Sequence, residues 1–174
     1  MTTYARVSLS PDQLQVLLKG LILSPDEGSS FTSIRDTPLL ENYPVDAPLT
    51  SLGQTALMLA CSRCNLALMG LFLRRGANVN RRDVQGNSAV HYVLKSRKGN
   101  FMMGLELLYN AKSDFRARNQ SGEFPLDLLN ALYSQEEEID QYREVVTSYL
   151  DNSIRRVTLL LRFRCRSAHR LAWG

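Results

Sequence analysis

The sequence has few cysteines and no long hydrophobic run. Its 174 residues include three cysteines, an odd number that cannot form a closed disulfide framework and that suits a reducing compartment. The richest apolar stretch, Leu14 to Leu23, is short and contains Lys19, whereas a membrane helix needs about 20 apolar residues. Residues 1–9 lack the basic and apolar segments of a secretory signal. We therefore expect a cytoplasmic or nuclear protein.

The sequence also lacks the residue clusters on which most enzymes depend. It has two histidines and neither a phosphate-binding glycine loop nor a His-Glu-x-x-His segment. Cys61 and Cys64 form a Cys-x-x-Cys pair, which in isolation suggests a redox pair or half of a zinc site. A zinc site needs further ligands at suitable spacing, and we interpret both cysteines as structural residues. Ser88 and His91 lack the orienting group and oxyanion site that an acyl-transfer dyad requires. We therefore predict no enzymatic activity, no cofactor and no metal site.

Acidic residues are absent from residues 152–174, which contain six arginines. The whole chain has a net charge of +4, so the first 151 residues carry about −2. The basic character therefore belongs to the C-terminal tail and not to the body of the protein.

The most informative feature that is present is an internal repeat. Gly53, Gly86 and Gly122 each open a similar segment, at spacings of 33 and then 36 residues. The first segment reads GQTALMLACSRCNLALMGLFLRRGANVNRRDVQG, and its period, its Gly-x-Thr opening and its Gly-Ala-Asn-Val-Asn end resemble an ankyrin repeat. The resemblance implies an all-α solenoid of stacked helix-turn-helix units with hairpin-like finger loops and capping helices.

Local signals agree with such units. Thr55 and Ser88 are placed to cap short helices, because their side-chain oxygens can accept hydrogen bonds from the unpaired amides of a first turn. Gly76 follows an apolar helical stripe, and glycine takes the left-handed conformation that ends a helix without steric cost. Gly70 and Gly104 lie inside the second helices, where glycine costs about 1 kcal/mol relative to alanine.

Two features of the second unit bear on its regularity. Its three extra residues fall either near residues 95–100 or just after Leu108. In proteins that this chain resembles, a histidine at the position of His91 ties adjacent repeats together, and Ser88 is its local partner here.

The repeat pattern predicts four segments. Residues 1–23 contain an N-terminal capping helix with Ser10 as its N-cap, and 24–52 form a proline-rich loop. The repeats occupy 53–150, divided as 53–85, 86–121 and 122–150, and 151–174 form a basic C-terminal cap or tail.

The resemblance also implies where a partner binds, because related proteins use their finger tips and their concave helix face. We predict a protein partner, with no small-molecule substrate. Arginines in the finger loops indicate an acidic partner surface, since arginine forms bidentate pairs with carboxylates. The candidate partner-binding residues are Ser62, Arg63, Arg81, Arg82, Val84, Gln85, Asn87, Ser96, Arg97, Arg116, Arg118, Gln120, Ser121 and Glu123.

The basic tail has three interpretations. It is a last helix that covers the stack, or a segment that binds acidic protein, nucleic acid or a membrane surface. Alternatively, the spacing of Leu161 and Cys165 is similar to the start of a SOCS box, although His169 stands where an aliphatic residue is expected. The sequence thus predicts a non-catalytic adaptor or inhibitor, with a ubiquitin-ligase substrate receptor as the alternative.

Overall fold

The computed structural model describes residues 10–24, 32, 43–96, 100–135 and 139–150. These residues contain helices and turns but no β-strand, so the all-α prediction is confirmed. No helix among them is both long and apolar enough to span a bilayer. The helices are α1 (Pro11–Leu23), α2 (Ala56–Ser62), α3 (Leu66–Arg74), α4 (Ala89–Lys95), α5 (Phe101–Asn110), α6 (Pro125–Leu132) and α7 (Ile139–Leu150).

The helices lie in two rows. Helices α1, α2, α4 and α6 pack side by side in the first row, while α3 packs against α5 in the second. Helix α7 extends the second row through aromatic contacts to α5. The ring centres of Phe101 and Tyr142 are 5.0 Å apart, and those of Tyr109 and Tyr149 are 4.5 Å apart. Each unit can bury its apolar side only against its neighbours, and this is the stacking that defines a solenoid.

Polar side chains cap the starts of α1, α2 and α3, the first two at residues that the sequence predicted. The Ser10 and Gln13 pair closes a capping box at α1, with its two hydrogen bonds at 2.9 and 3.3 Å. Thr55 Oγ1 accepts from the Met58 amide at 3.4 Å to begin α2. Asn65 caps α3 in the same way, because its Oδ1 accepts a hydrogen bond from the Leu68 amide at 3.0 Å.

The three extra residues of the second unit lie between Lys95, where α4 ends, and Phe101, where α5 begins. Equivalent positions of the first and second units are 33 residues apart as far as Ser62 and Lys95, where α2 and α4 end. They are 36 residues apart by the ends of α3 and α5, where Gly76 (φ 81°) is matched by Lys112 (φ 65°). The helix pairs therefore keep their packing, and the insertion lies between α4 and α5.

Several sequence predictions lie outside the described residues. They concern Arg97, most of the proline-rich loop and the whole basic segment 151–174, including its SOCS-like residues. The division of the chain into four segments remains a prediction.

Candidate functional site in the finger loops

Three loops project from the same end of the helix pairs, and we call them the finger loops: 43–55, 75–88 and 111–124. Each ends in the same tight turn, at 50–53, 83–86 and 119–122. The glycine amide closing each turn donates to the carbonyl three residues earlier, at 2.9, 3.0 and 3.0 Å. All three glycines have φ between 73° and 78°, a conformation that other residues adopt only with strain.

The turns are joined to one another by backbone hydrogen bonds. The Val84 amide donates to the Leu52 carbonyl, and the Gln120 amide donates to the Gln85 carbonyl, both at 2.9 Å. At Gly86 the neighbouring finger comes so close that a Cβ atom would lie 3.0 Å from the Gln120 nitrogen. The finger tips therefore form one continuous row.

A seam of polar groups, with Asp83 and Asn87 buried at its centre, lies beneath the tips. The Asp83 carboxylate accepts hydrogen bonds from the Gln85 amide at 2.9 Å, the Asn87 amide at 2.8 Å and the Tyr92 hydroxyl at 2.5 Å. The Tyr92 hydroxyl in turn accepts from Gln54 Nε2 at 2.7 Å. Neither Asp83 nor Tyr92 was among the candidate residues predicted from the sequence, yet Tyr92 joins the first two fingers to α4.

The electrostatics of this seam favour a charged Asp83 and a neutral Tyr92. Burial by itself raises the pKa of Asp83, but the hydrogen bonds from Tyr92, Asn87 and Gln85 outweigh it, so the pKa lies below its usual value. Burial, together with donation to Asp83, raises the pKa of Tyr92 to about 12. Both groups are fixed structural partners at neutral pH and not proton-transfer groups.

The seam continues into the third finger through Asn87. Its amide oxygen accepts from Lys95 Nζ at 3.0 Å and from Asn119 Nδ2 at 3.3 Å. Asn119 also donates to the Glu123 carboxylate at 2.7 Å. Asn87 is only 2% exposed, so this predicted partner-binding residue lies inside the protein and offers little surface to a partner. Glu123 is half-buried and belongs to the same network.

His91 connects the second and third units. The Ser88 amide donates to Nδ1 at 3.2 Å, so Nε2 carries the proton and donates to the Glu123 carbonyl at 3.4 Å. Burial lowers the pKa of the ring, which keeps it neutral. These contacts match the role that the family resemblance implies, because the side chain ties one repeat to the next.

Three of the four finger arginines also contact their own chain. Arg82 donates to the Arg118 carbonyl at 2.9 Å, which joins the second finger to the third. Arg116 donates to the Leu150 carbonyl at 2.7 Å, at the end of α7. The Arg118 guanidinium lies 4.1 Å from the centre of the Phe124 ring. Arg81 is exposed and its side chain makes no hydrogen bond or ion pair with the described residues.

The sequence profile of the ankyrin repeat family matches residues 52–84, which span α2, α3 and most of the second finger. Residues 52–84 of this chain are therefore similar to an ankyrin repeat. A segment of 56 residues, 32% of the chain, is 41% identical to part of the phosphocholine transferase AnkX of Legionella pneumophila. That segment spans 6% of the length of AnkX, so the transferase activity in its name is a property of that protein.

The finger tips present a compact exposed surface, which we call the tip row: Leu52, Val84, Gln85, Gln120 and Ser121. Val84 is 54% exposed and Leu52 is 41% exposed, although both are apolar. Four of the five residues were predicted from the sequence. Leu52 was missed because it precedes Gly53, where the sequence repeat was taken to begin.

The predicted residues on the concave helix turns are less available. Ser62 and Ser96 donate to carbonyls of their own helices, at 2.8 and 2.6 Å. Arg63 is half-buried and donates to the Ser24 carbonyl at 3.1 Å, which joins α2 to the end of α1. These side chains support the helix stack.

The cysteine pair is buried between helices α2 and α3. Neither Cys61 nor Cys64 is disulfide-bonded. Burial, with the nearby Cys64 adding to it, raises the pKa of Cys61 well above its usual value. A thiol in this environment is rarely ionised and therefore a poor nucleophile. Among the described residues, no group of three or more potential ligands could hold a metal ion.

Proposed function

We propose that this protein is a non-catalytic adaptor or inhibitor that holds a partner protein against its tip row. Ankyrin repeats generally mediate protein–protein interaction. The observation that carries the finer proposal is the exposure of Leu52 and Val84 on adjacent turns whose backbones are hydrogen-bonded to each other. Apolar side chains on a rigid support bind with little loss of conformational entropy.

The charges near the tip row support a partner with exposed carboxylates. Arg81 lies two residues before the second turn and is exposed. The nearest acid in that turn, Asp83, is buried and fully hydrogen-bonded. An acidic partner segment with one or two apolar side chains would therefore pair its carboxylates with arginine and place its apolar groups on Leu52 and Val84.

The buried cysteines support a cytoplasmic or nuclear location as part of the same proposal. Cys61 and Cys64 are held apart from solvent as thiols, which suits a reducing compartment. A fluorescent fusion observed in fixed and living cells tests this part.

The binding proposal is tested by affinity capture with three single variants. Val84→Asp places a charge on the apolar tip, and Arg81→Glu reverses the charge of an arginine whose side chain makes no hydrogen bond or ion pair with the described residues. Both should lower capture of a bound partner by at least about tenfold, as expected for a hot-spot residue. Arg74→Glu is the matched control, because it makes the same charge change on exposed surface of α3 and should leave capture unchanged.

The proposal would be contradicted if Val84→Asp and Arg74→Glu captured the partner equally well, whether both lost capture or both retained it. Melting temperatures of all variants must agree with that of the wild type. Arg82 and Arg116 are avoided as probes because each donates to a backbone carbonyl in another element.

The ubiquitin-ligase alternative depends on residues 161–170, outside the described part of the chain, and it stays a prediction. Recovery of elongin subunits that is lost on Leu161→Ala would support it.

A further inference from the structure

The third finger carries an exposed hydroxyl behind two arginines. Its sequence, Arg116-Ala-Arg-Asn-Gln-Ser121, places arginine five and three residues before the serine. Protein kinases with acidic substrate grooves recognise arginines at such offsets, because each guanidinium pairs with a carboxylate of the groove. We propose that Ser121 is a phosphorylation site for an arginine-directed serine kinase.

The position of Ser121 in the fold makes it accessible. It is the third residue of the turn 119–122 and is exposed. Its hydroxyl makes no hydrogen bond with any residue that the structure describes. An added Cβ at the next residue, Gly122, would meet nothing within 4 Å, so the space beside the serine is open.

Ser121 is distinct from its equivalents in the other fingers. Leu52 and Gln85 occupy the same position of the first and second turns, and neither has a hydroxyl group. Ser51 is exposed in the first turn, but Asp46 and Pro48 stand at the offsets that arginines occupy before Ser121. The combination of an exposed hydroxyl and two preceding arginines occurs at Ser121 alone within the described part of the chain.

Both arginines can be reached from solvent. Arg116 and Arg118 are exposed, and the contacts that hold them are one hydrogen bond to the Leu150 carbonyl and one ring contact with Phe124. A kinase groove with carboxylates would replace these contacts without disturbing the buried seam.

The reaction is an ordinary phosphoryl transfer from magnesium-bound ATP. The Ser121 Oγ attacks the γ-phosphorus, so a new Oγ–P bond forms while the bond from that phosphorus to the bridging oxygen of ADP breaks. ADP leaves with the bonding electrons, and the hydroxyl proton passes to the catalytic carboxylate of the kinase.

The phosphate would change the charge of the tip row. It adds about −1.5 to −2 charges at neutral pH, three residues from Arg118, whose carbonyl already accepts from Arg82. The local positive charge is then offset, and an acidic partner meets repulsion. This consequence rests on the proposed function, whereas the phosphorylation itself does not.

The test uses the full chain carrying Ser167→Ala, because Arg162 and Arg164 precede Ser167 at the same offsets. The chain is incubated with magnesium-ATP and a purified arginine-directed kinase, and the phosphate is mapped by mass spectrometry of peptides. We expect one phosphate at Ser121, its loss in Ser121→Ala, a severalfold slower rate in Arg118→Ala, and no phosphate at Ser51. A kinase directed to acidic sequences should not modify Ser121.

A synthetic peptide covering residues 114–124 is the reference substrate. If the kinase modifies this peptide but leaves Ser121 of the folded chain unmodified, the proposal is overturned, because the turn then excludes the kinase. Equal rates for Arg118→Ala and the parent would also overturn it.

The effect on binding is measured separately with a glutamate-rich peptide as the probe. Phosphorylated chain should bind it severalfold more weakly than unmodified chain. Unchanged binding would contradict the proposed effect of the phosphate on partner binding. If unmodified chain fails to bind the probe, the acidic-partner proposal fails instead, and the mapping of Ser121 is unaffected.

Discussion

At the scale of single residues, the turn glycines differ in a way that their common backbone conformation does not reveal. Gly86 and Gly122 have φ of 76° and 78°, so alanine is strained at either position. A Cβ at Gly86 would also lie 3.0 Å from the Gln120 nitrogen, whereas a Cβ at Gly122 would meet nothing within 4 Å.

We therefore expect Gly122→Ala to cost about 1–2 kcal/mol, the usual penalty for left-handed backbone. Gly86→Ala should cost clearly more, because the neighbouring finger must move. Urea unfolding of the two variants measures both free energies. Equal losses would mean that the fingers are not in contact as described.

His91 predicts a pH dependence of stability. Burial lowers its pKa in the folded state below the value of about 6.5 expected in the unfolded chain. As the pH falls, the unfolded state takes up the proton first, so stability is full above about pH 6.5 and declines below it. Asp83, whose pKa is also lowered, adds a further loss only below about pH 4.

The melting temperature should therefore fall as the pH drops below about 6.5. This slope should be absent in His91→Gln and retained in His169→Ala. A slope that persists in His91→Gln would show that another group is responsible.

At this scale the exposure of a side chain was more predictable from the sequence than its contacts. Val84, Gln85 and Gln120 were predicted at the tips and are exposed there. Asn87 was placed on the same surface, but the seam buries it. The difference depends on which side chains meet across fingers 32 residues or more apart, and no local pattern contains that information.

At the scale of the helices, Gly70 and Gly104 give a matched pair. The sequence presents them alike, as glycines inside second helices. A Cβ at Gly70 would meet only the Arg74 side chain, at 3.4 Å. A Cβ at Gly104 would lie 3.1 Å from Val93 and 3.4 Å from Cys64, inside the core.

We expect Gly70→Ala to raise stability by up to about 1 kcal/mol, through helix propensity alone. Gly104→Ala should gain less or lose stability, because Val93 must give way. Thermal melting of both variants is the measurement. A lower midpoint for Gly70→Ala would mean that packing, and not only propensity, acts at that position.

The helices themselves were largely predictable, because caps and apolar spacing are local. Ser10, Thr55 and Gly76 occupy the ends that they predicted. The position of the three extra residues was left open, since either location preserves the apolar pattern. Lys112 in a left-handed conformation could not be predicted, because lysine carries no turn signal.

At the scale of the whole molecule, the stack is held together at two levels. The helix rows share one continuous apolar core. The fingers are joined separately by the backbone bonds from Val84 and Gln120 and by the seam around Asp83. This second level turns three separate loops into one row, and the binding proposal depends on it.

Amide hydrogen exchange at Val84 and Gln120 tests that dependence most directly. Both residues are exposed, but each amide donates to the preceding finger. We predict that these two amides exchange far more slowly than the amide of Ser121, which lies in the third turn beside Gln120. Exchange as fast as that of Ser121 would mean that the fingers move independently, and it would contradict a fixed tip row.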